Sequence, residues 1–465
     1  MATMRITTGM AMNTYRYNLQ NSTYNLTNAR NRVLTHRQFD SFAQDPTAAA
    51  QAWKIRRAMV SNANYQSNNS DTYSRFNIAW ATMGMVKTNL ETDADAADIR
   101  ARQDTTAGAR VDLGKVLNDT ADSVIQAMNS AKFGDHFVFS GDDEMNAPFS
   151  WSADKKTLYY RGVDVNSGRV TPPDQEPDWG EWDGAAGMPQ KTPVEGRNAV
   201  EDAWIAFYKY QNYVKASPEE QAEMEEPPYA PDPRDYKDPF GEVDQDEYGV
   251  PAAVYAYNKD PNNLPDGADP DAARLWATYY NDQGNKARLD KMAAEYENID
   301  LGMGMKENEN DQLINGTAFD RSLPAINMLG YGVDEDGDPV NIAMIMKRLG
   351  EIYSACDPTT GAFSEDGEAA KKLEAEADRL LNKYQAATDR TNANYVDVET
   401  KAHYLQQNQS RLKLQGDYLQ EERENIENVD LADAITEFSW DYYCYSAALK
   451  VGTQLLSQSL IDYMS

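Results

Sequence analysis

VDLADAITEFSWDYYCYSAALKVGTQLLSQSLIDYMS, residues Val429–Ser465, carries an apolar heptad stripe. Leu431, Ile435, Phe438, Tyr442, Tyr445, Leu449, Leu456 and Tyr463 keep the alternating four-three spacing of a coiled-coil seam, and Leu460 lies one turn past Leu456. A second stripe lies near the start. Met12, Tyr15, Leu19, Leu26, Ala29 and Val33 follow the same rule, with Ser22 on the seam as a small gap-filler. Chain ends fray unless something ties them down, so two strong stripes at the two ends call for partners. The expected partner of each is the other end, or another copy of the chain.

The chain of 465 residues has room for two or three domains, and 41% apolar with 10% aromatic content excludes wholesale disorder. A net charge of -31 argues against nucleic acid and against an anionic membrane, since both need a basic footprint. No apolar run approaches the ~20 residues of a membrane helix. The start, MATMRITTGMAMNTYRYNLQ, has no continuous apolar region after a basic one, so no cleaved signal peptide is expected. Cys356 and Cys444 fit no zinc or CxxC spacing, and a disulfide between them is not expected.

Between the ends the texture changes several times. Residues 14–33 have a polar face of Asn, Gln, Thr and Ser, which supports a helix only weakly. Asp45-Pro46 reads as an N-cap followed by the first helical position. A long helix is then expected over 47–91, with Ala52, Ile55, Met59, Tyr73, Phe76, Trp80 and Met83 inward, and another over 93–132 with Ile99, Val111, Val116, Ile125 and Met128. FGDHFVFSGDDEMNAPFSW (Phe133–Trp151) predicts a short strand over 136–140 between turns, and TLYYRGVDV predicts one strand that ends in a loop. Fifteen of the twenty prolines fall within 171–295, interleaved with acidic and aromatic residues. Trp179, Trp182, Trp204, Phe207, Tyr208, Tyr210 and Trp276 give that stretch enough aromatic area for a small core, so it reads as an ordered insertion with helices over 198–216 and 271–280. ENIDLGMGMK predicts a strand and a Gly-rich turn, and 342–352 a short helix. Residues 368–428 read as one helix broken only by Gly416, with Leu373, Leu380, Tyr384, Tyr395, Val398, Ala402, Leu405, Leu412, Leu419 and Ile426 on its seam, a length of roughly 90 Å.

Chemistry is sparse. His36, His136 and His403 lie in three unrelated segments without HxxxH or HxxE spacing, and read as surface or packing residues. GMGMK at Gly302–Lys306 lacks the GxxxxGK[ST] pattern of a phosphate loop and is better explained as a turn. Asp334-Glu335-Asp336-Gly337-Asp338 looks like the start of a calcium loop, but the twelfth position holds Ile345 where a bidentate glutamate is needed. No GxSxG, Ser-His-Asp or Cys-His arrangement is present, so no catalytic residue, metal site or cofactor is assigned.

Three segments carry a resemblance. MRITTGM at Met4–Met10, FGDHFVFSGDDEMNAPFSW at Phe133–Trp151 and NVDLADAITEFSWDYYCYSAALKVGTQLLSQSLIDYM at Asn428–Met464 are similar to the hook-filament junction proteins of the bacterial flagellum, the hook-associated protein 3 family of the flagellin superfamily. With TLYYRG and the stretch from YENIDLGMGMK to MLGYG, the resemblance covers about two thirds of the chain. The closing motif is shared with flagellins; GDHFVFSGD…PF is more particular to the junction proteins. The chain departs at Tyr443–Leu449, YCYSAAL, where the family has glutamine, but keeps the spacing.

The resemblance implies a mainly α fold with an inserted β-containing region: long antiparallel terminal helices forming a coiled-coil rod, and an outer domain carried mid-chain. Its expected parts are a terminal coiled-coil assembly domain (1–45 plus 429–465), a helical rod (46–132 plus 340–428) and an outer domain (133–339) with the Pro-rich acidic insertion at about 171–294. It implies a non-enzymatic subunit, exported to the flagellum without a cleaved signal peptide. The expected partners are identical subunits, a neighbouring hook-associated protein, flagellin, the export apparatus and an export chaperone at the last helix. The expected assembly residues are Leu431, Ile435, Phe438, Leu449, Leu456, Leu460 and Tyr463, with Met12, Tyr15, Leu19 and Leu26 as their N-terminal counterpart. Two other readings are a divergent flagellin, and an extracellular calcium-dependent binding protein or glycan hydrolase using the acidic insertion.

Overall fold

The computed structural model describes residues 8–464 apart from 40, 42, 95–106, 178–181, 184–187, 190–197, 223, 225, 242–243, 309–312, 315 and 364–366. In chain order the helices are α1 (Thr8–Thr35), α2 (Pro46–Asn89), α3 (Ala107–Ser130), α4 (Ala199–Lys215), α5 (Pro218–Gln221), α6 (Ala252–Lys259), α7 (Pro270–Ala293), α8 (Ala325–Leu329), α9 (Ile342–Ser354), α10 (Gly367–Glu427) and α11 (Leu431–Met464). The strands are β1 (Lys132–Phe133), β2 (His136–Phe137), β3 (Phe149–Trp151), β4 (Leu158–Tyr160), β5 (Val163–Asp164), β6 (Trp182–Asp183), β7 (Met188–Pro189), β8 (Asn298–Ile299) and β9 (Phe319–Asp320). The fold is mainly helical with a few small antiparallel sheets in the middle of the chain, and the long helices pair antiparallel, α1 with α11 and α2 with α10. Contacts divide it into two compact units. One comprises Met1–Ser70, Asp300–Asp311 and Gln406–Ser465; the other comprises Asp71–Ile299 and Gln312–Leu405.

In the first unit, Asp45 caps α2 by accepting from the amides of Thr47 (3.0 Å) and Ala48 (2.9 Å), as the Asp-Pro pair predicts. Ala52 and Ile55 are buried, but the seam then turns polar at Asn62 and Asn69, each at most 3% exposed. Asn69 Oδ1 accepts from Asn408 Nδ2 of α10 (2.8 Å), and Asn408 in turn accepts from Arg411 Nε (3.0 Å). A buried amide pair in a helical seam fixes register, because any slip leaves both amides unsatisfied. Asn62 Nδ2 and Gln66 Nε2 both donate to the Leu412 carbonyl, at 3.0 and 3.1 Å. A Cβ at Gly416 would lie 2.9 Å from the first amide nitrogen and 3.0 Å from the second, which explains the one glycine in this part of α10. The Gly-rich turn serves the same layer. Arg411 Nη2 donates to the carbonyls of Leu301 (3.3 Å) and Gly302 (3.2 Å), and Gly302 has φ +75° with Tyr65 packed 2.9 Å from where a Cβ would stand.

In the second unit, α2 and α10 bury Phe76, Met83 and Val86 on one side and Leu380, Tyr384 and Val398 on the other. The helix expected to continue to residue 91 instead becomes a π-helical turn over Leu90–Ala94, whose Leu90 carbonyl accepts from Tyr384 Oη at 3.2 Å. The helix expected over 93–132 is described only from Ala107. It crosses α9 through reciprocal glycines: a Cβ on Gly114 would meet the Gly350 carbonyl at 2.8 Å, and one on Gly350 would meet the Asn118 side chain at 2.7 Å.

The Phe133–Trp151 motif is a folded block. β1 and β2 form a two-residue hairpin, Val138, Phe139 and Ser140 are buried in turn conformation, and Arg75 donates to Glu144 and to the Val138 carbonyl. The expected single strand at TLYYRGVDV is a hairpin, because Arg161 and Gly162 both have positive φ (50° and 81°) and fold β5 back on β4. Within the Pro-rich insertion two small cores form. Trp204 and Phe207 pack with Val170, Val200 and Leu275, while Trp276 packs with Phe240, Val254 and Tyr280. Asn198 closes a capping box on α4, as the expected boundary requires, and α7 runs longer than 271–280. Trp179 lies outside the described residues, as does the side chain of Trp182.

Candidate assembly surface

α10 ends where the chain turns back on α1. Gln38 N donates to the Glu427 carbonyl (2.7 Å) and Val429 N to the His36 carbonyl (3.2 Å), with His36 in the left-handed region at φ 59° after donating to Arg32 O. Asp430 then caps α11, accepting from Ala432 N at 2.8 Å. The sequence boundary near Val429 is therefore a backbone corner, held by the end of α1.

From that corner α11 runs antiparallel to α1, and the packed face shares Phe438 and Tyr445 with the apolar stripe but is centred to one side of it. Ala434 is 1% exposed, and Phe438, Asp441, Tyr445, Ala448 and Gly452 continue its row at four-three spacing, each buried or half-buried. This row is turned by about 50° from the expected one, half the angle between successive residues. Small side chains decide the choice. Ala29 and Ala434 lie at the near end, and at the far end Tyr15 fills the space over Gly452, where a Cβ would come 2.0 Å from Tyr15 Oη and 2.4 Å from Cζ. The signal for this row was present at 434, 441 and 448 and at 438, 445 and 452. It is easily passed over because it contains an aspartate and a glycine.

The expected assembly residues fall into three groups. Met12, Tyr15, Leu19 and Leu26 are half-buried on the α1 face turned to α11, together with Ser22 and Val33, and Ala29 is buried there. Phe438 is half-buried on the α11 side, whereas Leu431, Ile435 and Leu449 are 41%, 47% and 42% exposed, and Tyr442, on the same row, is 58% exposed. Leu456, Leu460 and Tyr463 belong to the α11 helix, but their side chains lie outside the described residues. The paired helices thus leave an apolar row uncovered along one flank of α11. Trp440 and Tyr443, stacked at 6.2 Å between centroids, stand exposed on another side.

Charge frames the pair. Arg32 Nη1 lies 2.8 Å from Glu437 Oε2, and beside it the Asp441 carboxyl is pushed up by burial and by the like charge of Glu437. Near the corner Arg56 Nε donates to Glu427 Oε1 at 2.6 Å, and that hydrogen bond holds the Glu427 carboxyl below its ordinary range. A pair as open to solvent as Arg32–Glu437 contributes about 0–1 kcal/mol; it orients rather than holds.

The other candidate chemistry resolves differently. Asp334, Asp336 and Asp338 gather their carboxylates within 4.8 Å of one another, and a cation does sit among them: the Lys383 ammonium, 2.7 Å from Asp334 and 3.0 Å from Asp336. Arg379 Nε adds a contact of 2.6 Å to Asp338. The DEDGD loop is a receptor for α10. Burial alone would raise the Asp338 carboxyl, but the hydrogen bonds from Arg379 and Lys383 outweigh it and hold it below the usual range. His36, His136 and His403 are exposed. Both cysteines are free, Cys356 buried and Cys444 exposed.

Comparison with known proteins gives little beyond this. No family model matches the chain. No curated protein matches it either. Fourteen solved chains are similar, among them a Vibrio parahaemolyticus protein provisionally described as a flagellar hook-associated protein, at 11% identity and a TM-score of 0.42, covering 83% of this chain and 100% of the other. A likeness that distant says nothing of function, which has to be read from the chain's own residues.

Proposed function

We propose that this chain is a structural, non-enzymatic subunit of the bacterial flagellar axis, a hook-associated protein placed where hook meets filament. One observation carries the reading: the two ends of the chain pair through small residues and leave Leu431, Ile435, Tyr442 and Leu449 as an open apolar row. A self-sufficient helical hairpin would bury that row; a subunit that joins others presents it. The MRITTGM, GDHFVFSGD…PF and C-terminal motifs support the same assignment by resemblance, and the second of them favours the junction over the filament. On this reading identical subunits contact one another around the axis, a further hook-associated protein and flagellin adjoin them, and the weakly helical α1 is exported unfolded and ordered on assembly.

Immunogold labelling of intact flagella tests the assignment. A signal confined to the hook boundary is expected. Label along the whole filament would make the chain a flagellin, and label absent from purified flagella would overturn the reading.

A further inference from the structure

The Pro-rich insertion is one acidic body seated on another. Residues 171–294 carry 11 Lys and Arg against 26 Asp and Glu, a net of -15, and the rest of the same compact unit carries 20 against 33, a net of -13. Bodies of like charge repel where they meet. The joint between these two is itself built from carboxylates.

At the entry of the insertion, Asp282 of α7 reaches back to the turn that follows β5. Its Oδ2 accepts from the amides of Gly168 (3.0 Å) and Val170 (2.8 Å), and Gln283 Nε2 donates to the Val170 carbonyl at 3.2 Å. Gly168, at φ +101°, lies so close to α7 that a Cβ would stand 2.6 Å from Lys286 Cδ. Asp164 opens the same turn, accepting from Asn166 N at 2.9 Å, and its charge acts on Asp282. At the exit Glu295 follows α7. It accepts from the Asp142 amide at 3.0 Å and from Arg161 Nη1 at 2.6 and 2.8 Å, and its charge acts on the Asp142 carboxyl. Each end thus sets a carboxylate of the α7 arm against one of the body.

The neighbouring charges leave both pairs short of cation. Around Asp282, Arg169 is engaged by Glu201 at 3.2 Å, Lys286 lays its alkyl stem on Gly168, and Tyr279 adds only a phenol. Around Asp142, Arg161 serves Glu295 and Asp143 as well, while Glu144 and Glu297 add negative charge and engage Arg75, His136 and Arg321. Burial pushes the Asp164, Asp282 and Asp142 carboxyls up; the charge of Asp164 pushes Asp282 further, and that of Glu295 pushes Asp142. We propose that the seat of the insertion is a proton-operated joint, tightened as the pH falls, with Asp282 beside Asp164 and Glu295 beside Asp142 as its two latches. A carboxyl that is raised in the seated state holds its proton more tightly there than when the joint opens. Acid therefore stabilises the seated state as the pH falls through the raised value to the ordinary one, roughly pH 4. At neutral pH the paired carboxylates are charged and the joint opens most readily.

Amide hydrogen exchange of the full-length protein at about pH 7.5 and about pH 4.5, with each rate corrected for its intrinsic pH dependence, tests the joint. The Gly168, Val170 and Asp142 amides, which donate to the two latches, should gain at least about threefold more protection in acid than the Ala273 and Ile345 amides, which lie in the insertion and in the body away from the joint. Asp164→Asn should give Gly168 and Val170 their acid-level protection already at pH 7.5 and leave Asp142 as it is. Asp142→Asn should do the converse, since each variant removes the like charge from one latch only. Circular dichroism confirms that both variants stay folded. An equal gain at the control amides, protection of the latch amides that falls in acid, or variants that keep the wild-type pH dependence would overturn the inference.

Discussion

Gly452 and Tyr15 show how one residue sets the geometry of the terminal pair. With a Cβ site 2.0 Å from the Tyr15 hydroxyl, even alanine forces a shift. Gly452→Val should weaken the α1–α11 pairing by about 1–3 kcal/mol through overpacking, read as lost amide hydrogen-exchange protection in α1. Tyr15→Ala in the same chain should return part of that protection by opening the space. Lys383 is the residue-scale feature of the other unit. Replacing it with methionine leaves three gathered carboxylates with Arg379 as their remaining cation, at an expected cost of about 2–4 kcal/mol in thermal or denaturant unfolding. The pH dependence should change with it. The folded-state pKa of Asp338 lies below its unfolded value, so its contribution is complete above roughly pH 4 and is lost as pH falls through the folded value. Lys383→Met should therefore flatten the acid limb of a stability-pH curve, and an unchanged limb would show that the pairing does not contribute to stability.

Among the elements, α2 and α10 show what a heptad pattern reveals and what it hides. The apolar seam positions Ala52, Ile55, Phe76 and Met83 on one helix and Leu380, Tyr384, Val398, Leu405 and Leu412 on the other are buried as their spacing requires. Asn62, Asn69 and Asn408 are equally buried, yet no hydropathy pattern selects them, because an asparagine becomes a core residue only when its amide finds a partner. Asn408→Leu should cost about 1–3 kcal/mol, since Asn69 and Arg411 lose their acceptor or donor. Adding Asn69→Leu should recover part of the loss in a double-mutant cycle, at the expense of register. α11 teaches a related lesson. Its large residues define the most obvious stripe, but close approach of two helices favours the row of small ones.

For the whole molecule, the two ends of the chain belong to one compact unit, and the long α2 and α10 helices each contribute to both units. Deleting Val429–Ser465 should leave a soluble chain that melts with the folded Asp71–Ile299 and Gln312–Leu405 unit intact but cannot join the axial structure. Motility of cells carrying only that truncation would refute the assembly role.

By itself the sequence determined the helical ends, the Asp45 cap and an ordered aromatic insertion, because these rest on periodicity and local hydrogen bonding, which act within a few residues. Only the tertiary structure decided which row of α11 faces α1, that asparagines share the α2–α10 seam, that TLYYRGVDV folds back on itself, and that a lysine some 45 residues away fills the aspartate loop. Those outcomes depend on how closely two backbones approach and on which distant charge arrives, and neither is written in local spacing.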